Sequence, residues 1–153
     1  MKVKVLAFAV SFFALAQTSF ASLGNPTASI SNDGTPVTAT TKAQSLAAMP
    51  AGVTMSTVRT PDGVIVTEYA TQGVVFAISW QGQTMPNLKE LLSNTFPTYR
   101  QYVQSQPFSL EAPVSMQTPS LALFSGGHMR AYYGYAYIPG MAPQDFDLNS
   151  LGD

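Results

Sequence analysis

Residues 63–82 read GVIVTEYATQGVVFAISWQG: two runs of alternating side chains separated by Thr71-Gln72-Gly73. β-Branched and aromatic residues dominate both runs, and such residues suit a pleated, half-buried surface better than a helix. A three-residue turn signal leaves room only for antiparallel pairing, because a parallel return needs a long crossover. The spacing therefore predicts strands over Val64–Ala70 and Val74–Trp80. In the first, Val64, Val66 and Glu68 point one way and Ile65, Thr67 and Tyr69 the other. In the second, simple alternation puts Val74, Phe76, Ile78 and Trp80 on one face and the smaller Val75, Ala77 and Ser79 on the other. A sheet with one bulky apolar face implies a layer packed against that face.

The flanking sequence supplies more strands and the layer. Met55–Thr60 reads as a strand joined to the hairpin by Pro61-Asp62-Gly63, in which proline pre-sets φ and glycine accepts positive φ. After Gln81-Gly82, Leu88, Leu91, Leu92, Phe96, Tyr99 and Val103 recur at helical spacing, with Lys89, Glu90, Asn94, Arg100 and Gln101 on the other side. Thr84 is the expected cap and Pro86 lies in the expected first turn, while Pro97 predicts a kink near Phe96. Pro113 and Pro119 confine residues 109–120 to an edge strand or loop. Ser120–Ser125 and His128–Ile138 read as strands with Gly126-Gly127 as a two-residue turn, and Pro139 ends the second. The expected fold is α+β: an antiparallel β-sheet with one kinked helix packed on a face and a flexible N-terminal arm.

The arm is preceded by MKVKVLAFAVSFFALAQTSFAS. Lys2 and Lys4 form a basic start, an apolar run follows, and Ser19-Phe20-Ala21 is a small-x-small cleavage signal. This is the order of a secretory signal peptide, and the run is too short for a comfortable transmembrane span. The expected organisation is a signal peptide over 1–21, a low-complexity arm over 22–54, an α+β domain over 55–139 and a C-terminal tail over 140–153. Cleavage after Ala21 leaves about 130 residues, enough for one domain that buries roughly two-thirds of its unfolded surface. No cysteine is present, so an exported chain must be held by packing rather than disulfides, and thiol catalysis and Cys-ligated metal are excluded. The remaining basic residues, Lys42, Arg59, Lys89, Arg100 and Arg130, are scattered, and nucleic-acid binding needs them clustered.

Few residues offer chemistry. His128 is the only histidine, and no G-x-S-x-G elbow accompanies it. Asp145 and Asp147 lack further spaced ligands for a metal. Glu68 could share acid–base work with Glu90 or Glu111, but nothing in the spacing favours it. Glu68 and Arg130 both fall in expected strands, where charge is costly unless exposed or paired, so a structural cross-strand ion pair is expected. Trp80 reads as a core anchor where strand gives way to helix. Tyr133, Tyr135 and Tyr137 share a face opposite Tyr132, and are either core or an exposed aromatic row able to hold a partner.

Two stretches resemble a known family. TPDGVIVTEYATQGVVFAISWQGQTMPNLKELL (60–92) and GGHMRAYYGYAYIP (126–139) are similar to the two signatures of an uncharacterised exported bacterial family, domain of unknown function 2844. Asn87 stands where the family pattern has Asp, which weakens a charge–dipole interaction at the helix start. The resemblance implies a periplasmic or secreted protein of Gram-negative bacteria and brings no activity with it. The sequence is accordingly read as an exported, non-enzymatic binding or envelope-associated protein. Tyr133, Tyr135 and Tyr137 are the candidate surface for a protein or glycan partner; no cofactor, metal, nucleic acid or membrane span after cleavage is expected. The alternatives are a hydrolase using His128 or paired carboxylates, and a structural subunit of an extracellular assembly.

Overall fold

The structure, a computed structural model, describes residues 22–27, 34–37, 49–107 and 112–152. In chain order the strands are β1 (Thr35–Pro36), β2 (Val53–Arg59), β3 (Ile65–Thr71), β4 (Val74–Gly82), β5 (Val114–Gln117), β6 (Ala122–His128) and β7 (Ala131–Tyr137). They form one antiparallel seven-stranded sheet in the order β1-β2-β3-β4-β7-β6-β5. Between β4 and β5 lie helices α1 (Leu88–Leu92) and α2 (Phe96–Ser105), joined by a 3-10 turn at Ser93–Thr95. This is the expected kinked helix. Pro97 sits in the first turn of α2, where its missing N–H costs nothing, so the break falls just before it.

The β3–β4 turn follows the sequence closely. Thr71 registers with Val74, and Gln72 and Gly73 between them have φ 51° and 79°, the two positive values that suit the twist of a two-residue hairpin. Two other local expectations are corrected. The β6–β7 turn is not Gly126-Gly127: β6 runs through both glycines to His128, which registers with Ala131, and Met129-Arg130 makes the turn. Arg130 takes the positive φ of 68° there. The glycines serve the sheet instead. A methyl on Gly127, whose φ is 129°, would stand 2.3 Å from the Ala131 carbonyl oxygen. Nor does Thr84 cap the helix. Asn87 is the capping position, without a side-chain bond, while the Thr84 hydroxyl donates to the Asp62 carbonyl at 3.3 Å.

A β-bulge changes which side chains face the helices. Tyr69 registers with Ala77 and Ala70 with Val75, so Phe76 has no opposite residue in β3. The extra residue shifts the alternation by one position. Val75, Ile78 and Trp80 face α1, together with Val58, Val66, Leu123 and Ala136. Phe76 turns to the other side, correcting the expectation that it meets the helix. The helix face is closed by Leu88, Leu91 and Leu92, with Phe96, Tyr99 and Tyr102 of the helical segment partly buried against it. Glu68 also lies on this face, 1% exposed, in register between Ser56 and Ile78.

Both ends of the described chain join the sheet. Gly24 donates to the Val75 carbonyl at 2.8 Å and Val75 to the Asn25 carbonyl at 3.0 Å, beside the part of β4 that β7 does not reach. Leu23 is fully buried among the helix-face residues and donates its N–H to Leu91 at 2.9 Å. At the other end, residues 140–151 cross the opposite face, where Phe146 and Leu151 are buried with Tyr69, Phe76 and Ala77. Phe146 meets Phe76 edge-on at 5.0 Å and Tyr69 at 5.3 Å.

Candidate functional site

The register lays the tail face out in three rows across the sheet. The first holds Arg59, Ile65, Gln81, Tyr133 and Gly126. Thr57, Thr67, Ser79, Tyr135 and Phe124 make up the second, and Met55, Tyr69, Ala77, Tyr137 and Ala122 the third. The tail covers the third row: Tyr69, Ala77 and Tyr137 belong to the cluster under Phe146, with Met141 and Leu148 packed on it. Burial raises the pKa of the Tyr69 phenol, which a hydrogen bond to Ser79 partly offsets.

The first two rows remain open. They floor a cleft of about 780 Å³, within the range of small-ligand sites. Ile65, Thr67, Ser79 and Gln81 line its base, Arg59 stands on one flank, and Leu151 and Gly152 close the end where the tail begins. The opposite flank is aromatic. Phe124 stacks on Tyr135 at 5.9 Å with 26° between the planes, and lies 5.9 Å from Tyr133 at 38°. A methyl on Gly126 would press on the Phe124 ring at 3.2 Å, so that glycine leaves the ring its place.

The candidate tyrosine row is therefore graded rather than uniformly exposed. Tyr133 is 49% exposed, Tyr135 is half-buried with Phe124, and Tyr137 is half-buried under the tail. The helices cover the other face, a point that the alternation of Tyr132 against the three left open. What the sequence did not disclose is a second covering layer, made by the tail. Trp80 is a core residue, 3% exposed. Its ring lies against Gly134, where a methyl would approach Cζ2 to 2.5 Å. Among the described residues its indole N–H finds no hydrogen-bond partner.

Glu68 and Arg130 are not brought together. Glu68 is buried under the helices at the level of Ala136, whereas Arg130 is exposed in the β6–β7 turn. One strand and roughly 20 Å of strand rise separate them. The positions suggested for hydrolysis are equally dispersed. His128 is exposed at the end of β6, Glu90 is exposed on α1, and Glu111 lies outside the described residues. Asp147 is committed to its own turn, accepting from the Asn149 N–H at 3.0 Å. Among the described residues no cluster of three His, Cys, Asp or Glu side chains is placed to hold a metal.

Arg59, Gln81, Thr67, Ser79 and Phe124 were not singled out from the sequence as one site. Their signal was present only as strand alternation, and needs the register of four strands before it becomes a surface.

The two sequence signatures are thus the β3–β4 hairpin with α1 and the β6–β7 hairpin, which meet along β4 and β7. The model of a protein family described as "Protein of unknown function (DUF2844)" matches residues 19–151. The chain belongs to this family. The DUF2844 match spans the buried Leu23 segment and the tail as well as the sheet, so both covering pieces lie inside the matched span. No curated protein and no solved structure matches the chain.

Proposed function

We propose that this DUF2844 protein is an exported, non-enzymatic binding protein that takes its ligand in the open cleft of the tail face. One observation carries the reading: a sheet face is sealed by the tail over one row and borders a cleft over two, where the Tyr133 ring and the amides of Gln81 and Gln83 are exposed side by side. Exposed aromatic surface next to convergent polar groups is the usual composition of a recognition site. The dispersal of His128, Glu68 and Glu90 gives the hydrolase reading no support.

The binding reading is tested by mapping amide resonances of the protein during titration with a panel of oligosaccharides, short peptides and lipid micelles. Shifts concentrated on Arg59, Gln81, Tyr133 and Tyr135 are expected for at least one member. Binding that maps elsewhere, or a panel without effect, defeats it. Export rests on the N-terminal pattern of Lys2, Lys4, the apolar run and Ser19-Phe20-Ala21. The N-terminus of exported protein should read Ser-Leu-Gly-Asn. Full-length chain recovered in the membrane would sink that part.

A further inference from the structure

We infer that the ligand of this cleft is an acidic oligosaccharide, with a sugar ring on Tyr133 and a carboxylate at Arg59; the inference rests on the binding reading above. Four features of the cleft lead there.

The floor is the face of a sheet, not its edge. The main-chain groups of β3, β4 and β7 are engaged in ladders with one another, so a ligand lying there meets side chains only. An extended peptide gains its affinity from main-chain pairing at a free edge, which this floor does not offer. Among the described residues the outermost strands are short and proline-marked: β1 is two residues, includes Pro36 and pairs only with Val58 and Arg59 of β2, and β5 is four residues following Pro113.

The side chains match a polyhydroxylated ligand. Gln81 and Gln83, both exposed, line the cleft with amides that donate and accept, while the floor hydroxyls of Thr67 and Ser79 are engaged with Thr57 and Tyr69. Sugar hydroxyls likewise donate and accept. The rings of Tyr133, Tyr135 and Phe124 offer flat apolar surface for the C–H face of a sugar ring, and Ile65 adds another apolar contact on the floor.

Charge selects the acidic kind. Arg59 is the only charged side chain among the described residues lining the cleft, and no carboxylate faces it there to attract a cation. One guanidinium nitrogen of Arg59 donates to the Gly63 carbonyl at 3.4 Å, which leaves the remaining donors for a carboxylate.

Spacing selects an oligomer. Arg59 and Tyr133 lie in the same row with β3 and β4 between them. Three strand spacings amount to roughly 14 Å. A single ring stacked on Tyr133 spans only part of that separation, whereas a chain running across the strands passes Gln81 and Ile65 on the way.

The test is calorimetric and NMR titration of the full mature chain with oligogalacturonate, a cello-oligosaccharide of equal length, and a short extended peptide. Oligogalacturonate should bind, shift the Arg59, Gln81 and Tyr133 amides together, and weaken as salt rises. Arg59→Gln should weaken it about tenfold and Tyr133→Ala at least as much, with melting temperatures unchanged. Equal affinity for the neutral oligosaccharide, or an unchanged affinity in Arg59→Gln, overturns the inference. Peptide shifting the cleft amides while oligogalacturonate does not leaves the binding reading standing and removes the saccharide. If nothing shifts them, both fall.

Discussion

On the helix side of the sheet, Val66, Ile78, Trp80, Ala136 and Leu123 share one apolar cluster with Leu88, Leu91 and Leu92. On the tail side, Phe76, Tyr69 and Phe146 make a compact aromatic cluster that stops after one row, and the next two rows face solvent. The same strands build both faces, so the difference lies in what covers them. Residues 88–105 carry enough regularly spaced apolar residues to cover a face, though α2 has no fully buried residue. The tail brings only Phe146, Leu148 and Leu151 with Met141 and Ala142, enough for one end of a face. A domain of this size can seal one sheet face with a modest helix, and an unsealed remainder on the other is where recognition can be placed without dismantling the core.

The contrast is broken most forcefully by truncating one buried side chain at each covered interface. Leu92→Ala on the helix side should cost about 2–5 kcal/mol and Phe76→Ala on the tail side about 3–5 kcal/mol, because both are fully buried. Denaturant melts check this. A loss below about 0.5 kcal/mol for Phe76→Ala would mean that the bulge does not place it under Phe146.

A smaller effect is expected where the faces share a backbone. Gly134→Val should cost about 1–3 kcal/mol by overpacking, since even a methyl there would meet the Trp80 ring and the Phe124 carbonyl oxygen at 2.4 Å. The indole fluorescence of Trp80 should change with it. Unaltered emission and stability would show that the two are not in contact.

Alkaline titration separates the faces by a subtler effect. Burial raises the Tyr69 pKa in the folded state above the ordinary phenol value of about 10. Its contribution is therefore fully present below the unfolded value and is lost as pH rises through the higher folded value. Stability should begin to fall above about pH 10. Tyr69→Phe should flatten that fall in part, since Tyr99 on the helix side is raised by burial as well. A fall unchanged by Tyr69→Phe would assign it elsewhere.

The smallest change in stability belongs to the open rows. Tyr133→Ser should alter the melt by less than about 0.5 kcal/mol. A larger loss would mean that Tyr133 is part of the core and that the cleft ends at Gln81.

Much of the fold was legible because its turns and helix are locally encoded. Gln72-Gly73 fixes one hairpin, Pro97 fixes the helix break, and the Tyr132 to Tyr137 alternation groups Tyr133, Tyr135 and Tyr137 on one face, though it does not say which face the helices cover. The bulge at Phe76 was not legible, because Phe suits either buried face and a one-residue shift leaves no compositional mark. Gly126-Gly127 misled because two glycines have two uses: a turn needs positive φ, and a strand needs them where Phe124 and the Ala131–Tyr132 backbone come close. The cleft was the least legible part. Arg59, Gln81 and Tyr133 are neighbours only through three successive strand pairings, and no local pattern joins them. The role of the tail escaped for a related reason: a few scattered apolar residues look like a loose end until Phe76 and Tyr69 are found beneath them.

The docking of Leu23 also sets a timetable. The bond from the Asn25 side chain to Ser93, 3.3 Å long, spans 68 residues, and Leu23 waits for Leu91 over a similar stretch. A ribosome adding about 5–20 residues per second needs roughly 3–14 s to supply those partners. Until then the Leu23 N–H lacks its Leu91 acceptor, and the Leu23 side chain lacks the leucines of α1 that help to bury it. The hairpins can form as they emerge, but the seam between the first residues and the helix is closed only after the helix exists. Such long-range closures slow folding relative to local ones. Leu23 is thus made well before the helix that closes over it, and a chain halted after Gln83 could pair Gly24 and Asn25 with Val75 but would leave Leu23 without α1.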